Sequence, residues 1–272
     1  MTEQSKINTK IEKAFEMPEP VKWPVQAEAR HLVPLADDLG SAGHLGTAIY
    51  EISIRAMERA ENTAKQVAEA ENAVNVAQLA LQKSGNGAAG LVQKDGKIHA
   101  IPTAYADLAS SAEPVLGREQ ERFDADVRKV ASYQEALMKQ MDAKLVCADT
   151  ARDNQLRSDL RNHLKSLGGK ASYTAIKAAT EGDMATIHTV LTSPAALMGL
   201  KPKDVETVRD EARKKLSPGI YKAHAKVDDV LGRMTLASRT LGKKRDSING
   251  YKLADQQAAN DALSKLQGLA RA

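Results

Sequence analysis

The sequence predicts an all-α, elongated protein built on an antiparallel, coiled-coil-like hairpin of two long helices. Three observations predict it. Residues 118–167 run for fifty positions without a proline or a glycine, which is about 75 Å of helix at ~1.5 Å per residue. A second stretch, 45–83, precedes it with a clear apolar stripe. Aromatic residues make up only 3% of the chain, with two Phe and one Trp, while alanine is abundant. Large compact cores draw much of their buried area from aromatics, whereas alanine lets helices approach along narrow seams. The 272 residues suit one or two domains. The expected divisions are a proline-rich arm at 1–42, the hairpin at 43–168 with an excursion at its tip over 84–103, and a C-terminal helical region at 169–272.

The arm follows from Pro18, Pro20, Pro24 and Pro34, which fix φ, remove backbone donors and forbid a long helix. A short helix is expected over 6–15 and extended chain beyond it. Ordering such a segment costs about 1–2 kcal/mol per residue, so a surface must receive it. Trp23 then has two readings. It packs back on its own helices, or it anchors the arm to a neighbouring protein together with Phe15, with Pro24 holding the chain extended.

The first long helix carries Leu45, Ile49, Ile52 and Ala56, then Val67, Ala70, Val74, Ala77 and Leu81. The spacings alternate four and three, the heptad pattern. Met57, Ala60 and Ala64 form a parallel stripe where the register slips. So thin a seam needs a partner helix to be stable. The helix is expected to end at Ser84-Gly85-Asn86-Gly87-Ala88-Ala89-Gly90. This run contains G-x-G-x-x-G, but dinucleotide binding needs a strand before the glycines and a helix after them. Here a helix precedes, and residues 91–101 read as a small β-hairpin with an Asp95-Gly96 turn. The glycines therefore break the helix and let the chain reverse.

Another helix is expected after Pro102, with Pro114 interrupting or restarting it. The long helix 118–167 then shows Phe123, Val127, Val130, Leu137, Met141, Leu145 and Ala148. Its stripe weakens at 149–154 and resumes at Leu156, Leu160, Leu164 and Leu167. Gln134 interrupts the seam, as lone polar residues do to set register. Gly168-Gly169 ends it. Shorter helices are expected near 171–181, 183–192, 202–216 and 220–241. A polar break over 242–250 and a last helix carrying Leu253, Leu263, Leu266 and Leu269 follow.

Recognisable chemistry is scarce. Cys147 is the single cysteine, which excludes an internal disulfide framework and a cysteine-rich metal site. His31, His44, His99, His163, His188 and His224 lack metal-binding spacing. Asp37-Asp38 and Asp228-Asp229 read as solvated charges rather than an acid/base pair. Neither a Walker motif nor a nucleophile elbow is present. The expectation is a non-enzyme without catalytic residues, cofactor or metal. No apolar run approaches the ~20 residues of a membrane span, and no signal peptide is visible.

Charge is uneven. Residues 201–245 hold thirteen Lys/Arg against six Asp/Glu, a net of +7 within a chain of net +4. Lys214, Lys215, Lys222, Lys226, Arg233, Arg239, Lys243, Lys244 and Arg245 define a basic face that could meet nucleic acid or an acidic partner. Single-strand readers also want exposed aromatics, and only Tyr221 and Tyr251 lie nearby.

The segment 178–200, AATEGDMATIHTVLTSPAALMGL, has a recognisable order. A Gly182-Asp183 step opens a short helix ending in Val190-Leu191, then come Pro194 and Leu197-Met198-Gly199-Leu200 before an acidic helix. It resembles helical proteins encoded among the structural genes of tailed bacteriophages. Lys201 departs from the pattern, standing where a capping Ser or Thr would be expected. The resemblance implies a virion component that is made in the host cytoplasm. It would work as a structural subunit joining or decorating portal, tail, capsid or fibre components. Other virion proteins and further copies of the chain are the expected partners, since the apolar seams exceed what one hairpin covers. The alternative reading is a helical nucleic-acid-binding or packaging-associated protein that uses the basic face.

Overall fold

The computed structural model describes residues 21–83, 91–94, 97–100, 103–146 and 151–269, and the side-chain surroundings within 21–76, 107–146 and 154–250. The fold is all-α. Its helices are α1 (Ala36–Gly40), α2 (His44–Lys83), α3 (Thr103–Ala143) and α4 (Ala151–Ser166). They continue with α5 (Ala171–Glu181), α6 (Met184–Thr192), α7 (Pro202–Leu216) and α8 (Pro218–Leu269). Between α2 and α3, the four-residue strands β1 (Leu91–Lys94) and β2 (Lys97–Ala100) pair antiparallel, Leu91 opposite Ala100. The tip glycines lie outside the described residues.

The chain divides into two compact units. One comprises the residues through His31, Ile54–Val127 and the chain from Arg233 onward; the other comprises Leu32–Ser53 and Arg128–Gly232. Helices α2, α3 and α8 contribute residues to both. In the first unit the buried stripes are Ala56, Met57, Ala60, Ala64 and Val67 on α2, with Ala109, Ala112, Leu116 and Phe123 on α3. Met234, Ala237, Leu241 and Ile248 supply the stripe of α8.

The second unit gathers its core from short helices. Leu145, Leu164, Ala175, Ala179, Ile187, Val190, Met198, Leu200, Val208 and Ala212 pack together. Gly182 ends α5 with φ +84°, a left-handed conformation natural to glycine. Asp183 then caps α6 by accepting from the backbone N–H groups of Ala185 and Thr186. Helix α6 is buried on five consecutive positions, Thr186–Val190. At α7, Asp204 accepts from the Lys201 backbone N–H at 2.9 Å, which satisfies one donor where Lys201 has no side-chain acceptor to offer.

Four expectations need correction. Residues 118–167 are not one helix, because α3 ends at Ala143 and α4 begins at Ala151. Two i→i+3 bonds, Lys144 to Met141 and Leu145 to Asp142, tighten the end of α3, and Leu145 turns into the core of the short helices. Helix α3 runs through Pro114, where one lost backbone bond is outweighed by the stripe on both sides. The expected break at 242–250 is helical, since α8 continues from Pro218 to Leu269. The segment 25–35 forms 3-10 turns at Val25–Ala27 and Ala29–Leu35 rather than extended chain; proline φ suits a 3-10 turn as well as a strand.

Candidate functional site

The residues that sequence pointed to separate into three sets. Phe15 lies outside the described residues. Trp23 and Pro24 are half-buried, and the Trp23 indole N–H donates to the Ala27 carbonyl at 3.0 Å. The neighbouring turn is tied down as well: the Ala29 N–H donates to Glu61 Oε2 at 3.3 Å, and Arg233 Nη1 donates to the Gln26 carbonyl at 3.3 Å. The arm from Val21 to His31 is thus received by α2 and α8 of its own unit.

The second set is the basic residues that pair with carboxylates. Lys222 Nζ lies 2.6 Å from Asp38 Oδ1, and Lys226 lies 3.9 Å from Asp38 Oδ2. The hydrogen bond from Lys222 holds the Asp38 carboxyl below its ordinary range against a smaller opposing effect of burial, and the same bond raises the Lys222 ammonium. Arg245 Nη2 bonds Glu113 Oε1 at 3.0 Å. Lys244 does not belong to any exposed face. It is 1% exposed and bonds Glu71 Oε2 at 2.9 Å. Its removal from the basic face is a correction, and its cause is position: Lys244 continues the buried series Met234, Ala237, Leu241 at a spacing of three.

The third set stays at the surface. Lys214, Lys215, Arg239 and Lys243 are exposed. Lys214 has Glu211 at 3.8 Å, a surface pair of little energetic weight. Fewer of these cations are exposed than the sequence count suggests.

Sequence reasoning missed two strong polar links. Arg213 forks onto Asp142, Nε to Oδ1 at 2.7 Å and Nη2 to Oδ2 at 2.9 Å. Arg59 bridges Glu119 and Asp126 of α3, each at 2.9 Å. Burial works to lower the Arg59 pKa, but the bonds to Asp126 and Glu119 outweigh it and raise it. Glu119 and Asp126 are seven apart, hence on one face of α3, which was a readable signal. Gln134, noted as a polar seam position, donates to Asp228 Oδ1 at 2.6 Å.

Chemically these groups cross-link helices. Among the described residues, no group of three or more His, Cys, Asp or Glu side chains is placed to hold a metal ion, and no helix is long and apolar enough to cross a membrane. No protein-family model, curated protein or solved structure matches the chain.

Proposed function

We propose that the chain is a non-enzymatic structural subunit of a tailed-phage particle, joining or decorating portal, tail, capsid or fibre components. The observation that carries this reading is where the ionised side chains go. Arg59, Arg213, Lys244 and Arg245 each reach a carboxylate on another helix. Groups committed in this way hold helices in place and are poorly placed for proton transfer to a substrate. The resemblance at 178–200 supports the same reading, and its residues Ala179, Ile187, Val190, Met198 and Leu200 are buried. The proposal includes the coiled-coil-like pairing of α2 with α3, for which Arg59 reaching two positions one heptad apart is the support. It also includes assembly with other virion proteins and with further copies of the chain. Quantitative mass spectrometry of purified particles tests it. A fixed copy number per particle is expected, and presence only in the cytoplasm of infected cells refutes it.

A second reading has its own observation, the exposed Lys214, Lys215, Arg239 and Lys243. It makes the chain a packaging-associated nucleic-acid binder. It requires an affinity that falls steeply with salt and a slope that flattens when these four become Gln. Micromolar protein that shifts no duplex or single strand at low salt ends it.

A further inference from the structure

Helix α2 carries a buried stripe made largely of small residues, and α8 one of large apolar side chains with Ala237 among them. On α2, Ala60, Ala64 and Val67 are buried at spacings of four and three, and the next position in that series is Glu71. On α8, Met234, Ala237 and Leu241 alternate three and four, and the next position is Lys244. Each helix therefore puts one ionisable side chain where a heptad asks for an apolar one. The two meet, Nζ to Oε2 at 2.9 Å, with Lys244 1% and Glu71 3% exposed.

The energetics argue against stability as the role of this pair. The attraction between two ions withdrawn from water offsets their desolvation only when the remaining lone pairs are also bonded. Here, among the described residues, Glu71 Oε1 is buried with no hydrogen-bond partner, and so is Ser247 Oγ, one turn beyond Lys244. An apolar pair of similar volume would fill the space without that penalty. It would, however, lose discrimination. The α2 stripe is rich in alanine, and Met234, Leu241 and Ile248 repeat a large apolar side chain every seven residues of α8, so sliding α8 by seven residues along α2 changes apolar contact little. The same slide strands both charges in the interior, and a lone buried charge is strongly destabilising.

We infer that Glu71 and Lys244 form a register lock, fixing which turn of α8 faces which turn of α2 at the expense of stability. Arg245, the next residue, bonds Glu113 of α3, so consecutive positions key α8 to both neighbours.

The test uses the full chain with Glu71→Met, with Lys244→Met, and with both, followed by thermal unfolding and by amide resonances of α8. Each single change strands a charge and lowers the melting midpoint by about 10 °C. The double change returns the midpoint to the wild-type value or above, yet yields more than one set of α8 resonances, the mark of coexisting registers. Reversing the pair, Glu71→Lys with Lys244→Glu, restores one set. Three results overturn the lock: a double variant with a single wild-type-like spectrum, a double variant that melts as low as the single variants, or single variants that melt with the wild type. A reversed pair that keeps several sets counts against it equally.

Discussion

The same substitution, glycine to alanine, is expected to have opposite signs at two helical positions of one unit. Gly46 lies in the first turn of α2 and is buried. A Cβ there would meet the Leu39 carbonyl oxygen at 1.7 Å and its carbon at 2.7 Å. Both are backbone atoms of α1, which cannot rotate away as a side chain would. Helix α1 must withdraw by well over an ångström, and the fully buried Leu39 goes with it. Burying a leucine is worth roughly 1.5–3 kcal/mol. The helix-propensity gain of alanine is at most about 1 kcal/mol, and less near a helix start. Gly46→Ala should therefore destabilise by about 2 kcal/mol, lowering the midpoint by roughly 4–8 °C. Gly232, inside α8, would place its Cβ with nothing within 4 Å. Gly232→Ala should stabilise by about 0.5–1 kcal/mol through backbone entropy alone. Urea and thermal unfolding of the two variants beside the wild type measure both. A rise for Gly46→Ala refutes the close approach of α1 to α2, and a fall for Gly232→Ala refutes the open surroundings of that turn.

Four further outcomes follow from specific contacts. Asp38 is held below its unfolded value near ~3.9, so its contribution is present above that pH and lost as pH falls through the folded value. Asp38→Asn should lower the urea midpoint at pH 7, and the difference should vanish on acidification. Lys222, raised by the same bond, gives the mirror case: Lys222→Met should cost stability near neutrality, and that cost should disappear as pH climbs past ~10.4. Arg213→Met removes a two-point bond to Asp142 and should cost about 1–2 kcal/mol in urea unfolding, with Arg213→Lys recovering less than half because the fork is lost. Removing residues 1–31 takes away the buried Ala27 and Ala29 and should lower the melting temperature. An unchanged melt would show that this segment does not brace its own unit.

The all-α character, the start of α2 within a residue and the spans of α5, α6 and α7 were legible in the sequence. Each rests on local chemistry: heptad spacing, a glycine with left-handed φ, an aspartate at an N-cap, a proline in a first turn. What escaped was decided by distant contacts. The end of α3 depends on Leu145 entering a core assembled from residues up to Ala212, which no local pattern encodes. The basic face was over-read because a count of lysines carries no exposure. Lys222 and Lys226 find Asp38, more than 180 positions earlier in the chain. Lys244 finds Glu71, 173 positions earlier. The heptad register of Lys244 was nonetheless present in the sequence, and following Met234, Ala237 and Leu241 one step further would have placed it inside.

That one step turns on a comparison of magnitudes. Gly242-Lys243-Lys244-Arg245 has the composition of a loop, and a glycine inside a helix costs about 1 kcal/mol relative to alanine. Leu241 and Ile248, on either side, are fully buried, each worth roughly 1.5–3 kcal/mol. Keeping both requires the heptad to run unbroken between them, so burial outweighs propensity and the helix continues. The glycine also has a use there: a Cβ at Gly242 would come 3.2 Å from Gln120 Nε2 on α3, tighter than ordinary packing. Within seven residues, α8 thus makes its close approach to α3, its buried ion pair with α2 and its bond to Glu113. A glycine beside a cluster of charges, flanked by heptad leucine and isoleucine, is here the mark of helices meeting rather than of a chain leaving them.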